Sequence, residues 1–178
     1  MGSIRQIEIC NSFLYDLSRF DDERGFFEEL YSLKDIPYFQ CKQINCSKSK
    51  ANVIRGLHVV PFAKLVHCIR GRIFDVIVDM RKNSTTYLKW FGVELTENNK
   101  LALYVPPNCG HGFMSLEDDA IVVYAQDGLY DPRVEISVHF ADATIVIKWP
   151  FTKNVKISKK DLGAGNALLE NQDTAYST

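Results

Sequence analysis

Residues 64–80 read KLVHCIRGRIFDVIVDM. The stretch is dense in Val, Ile and Phe, lacks a helical apolar period, and is split by Gly71. It reads as two strands, 64–70 and 72–80, with Gly71 as a tight hairpin turn between them. In the second strand Phe74, Val76, Val78 and Met80 share one face, while Asp75 and Asp79 point to the other. That alternation sets an apolar side against a wetter one. Outward from this pair, short β-branched and aromatic runs recur at 42–46, 53–60, 87–95, 101–105, 113–116, 120–126 and 145–149. Many short strands with close turn signals specify an all-β sandwich, jelly roll or small barrel. Helices are expected only at 32–36 and 159–170, the second weakened by Gly163 and Gly165. The simplest organisation is one domain over 1–165 with a polar C-terminal tail, 166–178, whose last residues, NQDTAYST (171–178), are expected to be disordered.

The chain has 178 residues, enough for one self-sufficient core without a staple. Lys and Arg number 21 against 22 Asp and Glu, so the formal net charge is −1. So balanced a chain has no general pull on nucleic acid or anionic lipid, and neither is an expected partner. The opening MGSIRQIEIC lacks the apolar region of a secretory signal. No apolar run reaches the ~20 residues of a membrane helix. A cytoplasmic protein is expected. Five cysteines (Cys10, Cys41, Cys46, Cys68 and Cys109) form no CxxC pair, which argues against structural zinc and dithiol chemistry. Cys46 and Cys68 lie in apolar runs and are expected to be small buried hydrophobes.

Motifs for dinucleotides, phosphate loops, zinc proteases and serine hydrolases are all missing. What remains is a set of polar residues embedded in apolar strands, which must be either satisfied or used. His58, in VIRGLHVV, shares a face with Ile54, Gly56 and Val60 by alternation. Arg55 falls on the opposite face unless a bulge at Gly56 re-aims it. His58 is either a structural histidine or a general base. Lys64 is either a solvated strand end or a cation placed where an oxyanion develops. His111 lies between two glycines in NCGHGF, which lets backbone or ligand approach closely. Tyr124 sits mid-strand in AIVVYAQ, and Asp161 stands where a helix cap would be. His58 is followed by Val59 and Val60, so the HxH-like pair of a cupin metal site is absent and no metal is expected.

Taken in order, these segments resemble the dTDP-4-dehydrorhamnose 3,5-epimerase family. The resemblance is carried by DERGFFEE (22–29), QINCSKSKANVIRGLH (43–58), the long run 64–90, YVPPNCGHGF (104–113), VYAQDGLYDPRVE (123–135), IKWP (147–150) and ISKKD (157–161). It implies a metal-free member of the cupin superfamily: a double-stranded β-helix, or jelly roll, with a few short flanking helices. It implies no cofactor, a nucleotide-diphosphate 4-keto sugar as substrate, and a homodimer. Position by position, His58 matches the general base and Asp161 the carboxylate that orients it. Tyr124 matches the general acid on the other side of the sugar ring, and Lys64 the cation beside the C4 oxygen. His111 and Arg55 match substrate contacts. Gln43, Asn45 and Glu29 match residues lining the nucleotide-sugar site, and Tyr130 and Glu135 further substrate-side positions. Arg24 matches an arginine that reaches the partner subunit's site.

The implied chemistry suits these residues. The substrate ketone acidifies the C–H bonds at C3 and C5, a base removes a proton, and an acid reprotonates the other face. Two departures stand out: only six positions separate His58 from Lys64, a shorter loop expected to widen the mouth of the site, and Glu28 replaces a frequent aromatic. Other readings are a monofunctional 3- or 5-epimerase, a sugar 3,4-ketoisomerase, and a sugar-binding cupin without catalysis.

Overall fold

Strands that alternate apolar and polar residues bury one face each, and two such sheets closing on one another bury most of it. The computed structural model describes residues 2–167. Its strands are β1 (Ser3–Gln6), β2 (Phe13–Asp16), β3 (Ser18–Asp22), β4 (Gly25–Glu29), β5 (Gln43–Ser49), β6 (Ile54–Val59) and β7 (Lys64–Arg70). There follow β8 (Arg72–Asp79), β9 (Trp90–Thr96), β10 (Leu101–Val105), β11 (Cys109–Ser115), β12 (Ala120–Gln126) and β13 (Ile136–Ser137), then a single short helix, α1 (Lys159–Leu162). One sheet has the order β1-β2-β10-β7-β12-β5, and the facing sheet β13-β6-β11-β8-β9. Strands β3 and β4 pair only with each other, as a separate ribbon.

Between the sheets, Val66, Cys68, Leu103 and Val122 from one side meet Ile73, Ile77, Leu95 and Phe113 from the other. Both outer faces are covered as well. Ile36 and Phe39 lie over Phe13, Tyr15, Leu65 and Tyr104. Val138, Ile145 and Trp149 lie over Leu57, Val59, Val76 and Val78. Each large apolar side chain so buried contributes about 1.5–3 kcal/mol. Along β7 the inward positions run from polar Lys64 to Val66 and Cys68, and along β12 from Val122 to Tyr124 and Gln126. One part of the interior is therefore filled with hydrocarbon, while the other is lined with polar groups.

Several local expectations change. Gly71 is a corner, not a hairpin turn: β7 and β8 belong to different sheets. One residue is too short for a two-residue hairpin loop. With φ at +72°, Gly71 redirects the chain across the sandwich. The face of Asp75 and Asp79 is not wet, because it looks into the sandwich and both residues have no exposed surface. Residues 145–149 form no strand. The amides of Thr144 and Ile145 donate to Asp142 Oδ1 and Val146 adopts φ +54°, so the apolar run covers a sheet without joining one. Residues 32–36 make a turn stopped by Pro37, in which Asp35 and Ile36 donate to the Ser32 carbonyl. The expected helix 159–170 is cut to α1 at Gly163; its residues 168–170, like the tail from 168 on, lie outside the described residues. Cys68 is buried as expected, but Cys46 lies on the exposed side of an edge strand.

Candidate active site

The site begins with a register shift. On β11, His111 pairs with His58 and Phe113 with Arg55, so Gly56 and Leu57 together oppose Gly112. In a regular strand, residues three apart point to opposite faces. This bulge turns both Arg55 and His58 inward and sends Leu57 and Val59 outward. His58 therefore shares its face with Arg55, not with Ile54, which packs in the outer cluster. Glycine is required at 56: its φ is +113°, and a Cβ there would sit 2.6 Å from the His111 carbonyl oxygen.

His58 Nε2 donates to Asp161 Oδ1 across 2.7 Å. Asp161 is delivered by α1, whose N-cap Ser158 accepts a bond from the Asp161 amide. The other Asp161 oxygen accepts from the Gly56 amide at 3.4 Å. Burial raises the Asp161 carboxyl, but the bond and charge of His58, helped by Ser158 and Gly56, outweigh it and hold the group below the usual carboxylate range. The second imidazole nitrogen, Nδ1, lies 4.0 Å from Glu135 Oε2. The Glu135 side chain is itself only 6% exposed and is paired with Lys160.

The facing sheet supplies Lys64 and Tyr124. Lys64 opens β7 but is only 6% exposed, and among the described residues it makes no ion pair. Burial pulls its ammonium down to about 8, with Glu135 and Asp75 pulling the other way. Burial raises the Tyr124 phenol; Arg55 opposes this, while Glu135 and Tyr130 reinforce it. A second, deeper pair links neighbouring strands of one wall: His111 Nε2 on β11 and Asp75 Oδ1 on β8 are 2.8 Å apart and both side chains are buried.

Two adjoining cavities of about 370 and 180 Å³ share His58, Lys64 and Tyr124 in their walls. Arg55, His111 and Asp161 line the larger, and Gln43, Asn45, Tyr130 and Glu135 the smaller. Ten of the twelve residues singled out in the sequence are thus brought together. Arg24 and Glu29 are not. They sit on the β3–β4 ribbon, where Arg24 is exposed and paired with Asp22. The short link after His58 forms a wall: Phe62 packs on Gly128, and Ala63 and Asp127 exchange two hydrogen bonds. Sequence reading missed Asp75, Gln126 and Lys160. Asp75 was hidden by the assumption of a wet face, while Gln126 alternates with Tyr124 and Lys160 precedes Asp161.

This arrangement places an imidazole, paired with a carboxylate from α1, on one sheet, a phenol on the other, and a buried cation in the same cleft. The model of the family described as dTDP-4-dehydrorhamnose 3,5-epimerase matches residues 6–168. A dTDP-4-dehydrorhamnose 3,5-epimerase of Shigella flexneri is 38% identical over 169 residues, covering 90% of this chain and 93% of that one. A dTDP-4-dehydrorhamnose 3-epimerase of Streptomyces niveus is 37% identical, covering 80% of this chain and 73% of its own. Among solved structures, dTDP-6-deoxy-D-glucose-3,5-epimerase from Legionella pneumophila Philadelphia 1, in complex with dTDP-4-keto-L-rhamnose, superposes with a TM-score of 0.93. It is 32% identical, with 97% of this chain and 96% of that one covered. Joined to the geometry of the cleft, these matches mean that the chain belongs to the dTDP-4-dehydrorhamnose 3,5-epimerase family.

Proposed function

We propose that the protein epimerises a nucleotide-diphosphate-linked 4-keto-6-deoxy sugar at C3 and C5, through an enolate and without a cofactor. The observation that carries this is the placement of His58 and Tyr124 on facing sheets with Lys64, which has no ion pair among the described residues, buried beside them. His58, held by Asp161, takes the proton from the carbon next to the ketone. The electron pair moves onto the C4 oxygen, where the Lys64 ammonium meets it. Tyr124 gives a proton to the opposite face, which inverts the centre, and both groups return to their starting states by exchange with water. Arg55 and His111 hold the sugar and diphosphate, and Gln43, Asn45, Tyr130 and Glu135 line the smaller lobe. Turnover of dTDP-4-keto-6-deoxyglucose in heavy water, followed by NMR, tests the reading: deuterium should enter both C3 and C5. Entry at C3 alone would assign the activity of the Streptomyces niveus relative instead. No entry at either carbon would overturn the proposal.

The working unit is a homodimer in the cytoplasm. The β3–β4 ribbon exposes Phe20, Phe26 and Phe27 and carries Arg24 away from its own cavity, as an arm that completes the partner's site would. Inactive Arg24→Ala and His58→Ala chains, mixed and allowed to exchange subunits, should recover part of the wild-type rate. If mixing restored nothing although both were dimers, the shared site would be refuted.

A further inference from the structure

Gln126 ends a chain of amides whose direction is fixed from one end. The Tyr130 backbone N–H donates to Gln43 Oε1 at 2.9 Å. A backbone amide can only donate, so the Gln43 oxygen must face it. Gln43 Nε2 then donates to Asn45 Oδ1 at 2.8 Å, and Asn45 Nδ2 donates to Gln126 Oε1 at 3.3 Å. No amide in this series can flip without placing two donors or two acceptors against each other. The last group, Gln126 Nε2, is left pointing onward as a donor. Among the described residues it has no hydrogen-bond partner, although Gln126 is only 2% exposed.

A buried donor without an acceptor is costly, so native structures rarely keep one without a use for it. Gln126 lines the smaller cavity beside Lys64 and Tyr124. It is also the direct cross-strand partner of Lys64 in the β12–β7 register. Directly opposed side chains on one face stand about 5 Å apart at Cβ, so both donors address the same part of the cleft. We infer that Gln126 Nε2 is a second donor to the C4 oxygen of the sugar, acting with Lys64 on the negative charge that builds there. It is then a catalytic residue in its own right, and the Gln43–Asn45 series is what aims it.

The inference rests on the epimerase reading and can fail separately from it. Gln126→Met keeps the length and removes the donor. Its kcat should fall by about 100-fold, as for loss of one oxyanion donor, with KM within about twofold of wild type. Gln126→Glu keeps the length but puts an acceptor and a negative charge in the donor's place, and should be slower still. Melting temperature and calorimetric binding of dTDP establish that each variant is folded; if the methionine variant does not fold, the glutamate variant decides. An unchanged kcat would overturn the inference, as would a raised KM with kcat retained, which would indicate a ground-state contact. Lys64→Met serves as the reference: were it fully active, the epimerase site itself would be misassigned. If it is inactive while Gln126→Met is not, only the role of Gln126 is refuted.

Discussion

Replacing Lys64 by methionine should stabilise the fold while stopping the reaction. The side chain is 6% exposed, and burial lowers its ammonium from 10.5 to about 8. A displacement of that size corresponds to roughly 3 kcal/mol of cost for carrying the charge inside, after the attraction of Glu135 and Asp75 has been counted. Below pH 8 folded and unfolded chains both hold the proton, and the full cost is present. Between about 8 and 10.5 the unfolded chain keeps a proton that the folded chain has released, so stability rises with pH across that window. Methionine matches the length of much of the side chain and carries no charge. Urea unfolding at pH 7 should therefore show Lys64→Met about 1–3 kcal/mol more stable than wild type, the gap closing toward pH 10.5. Turnover should fall by about 10²–10³, the usual cost of losing an oxyanion stabiliser. In the wild-type enzyme kcat/KM should decline above pH 8, because the neutral amine no longer meets the enolate. A Lys64→Met protein less stable than wild type at pH 7, or one that turns over normally, would refute the reasoning.

His58→Ala and Tyr124→Phe should each lose about 10²–10⁴ in rate, measured by deuterium incorporation, and full activity in both would remove the acid–base assignment. Asp79 contributes to stability toward acid. Burial raises its carboxyl, but Arg81, Ser84 and Thr86 outweigh that and bring it to about 2. A carboxylate depressed in the folded state stabilises above its unfolded value near 3.8, and the benefit is lost as pH falls toward 2. Asp79→Asn should accordingly be about 1–2 kcal/mol less stable at pH 7 by urea unfolding, with the difference shrinking below pH 4; equal stability at pH 7 would contradict this.

The sheet architecture and most of the site were legible because alternation is a local property. Eight of the nine expected strands exist, and the cleft gathers most of the polar residues that interrupt them. What escaped was set by partners distant in sequence. Asp75 reads as a surface acid until β11 brings His111 beside it. The run 145–149 has the composition of a strand, yet its Ile145 and Val146 amides go to Asp142 instead of a neighbouring strand. Gly71 looks like a hairpin because sequence adjacency suggests pairing, whereas β7 pairs with β10 and β12. The phase of RGLH stayed open, since it hung on whether a bulge at Gly56 re-aims Arg55: three residues separate Arg55 from His58, and the two-against-one register with Gly112 puts them on one side.

The division of the site between two sheets has its own consequence. His58 and Tyr124 are not neighbours on one strand whose separation is a multiple of the backbone repeat; each stands on its own wall. The gap across which a sugar ring must fit is therefore set by how far apart the walls are held, and that is decided by Val66, Ile73, Ile77, Leu103 and Val122, none of which lines the cleft. The hydrocarbon interior serves as the spacer of the reaction. Its volume fixes the reach between His58 and Tyr124, so under the proposed mechanism the ring sizes and substituents accepted are written partly in the core.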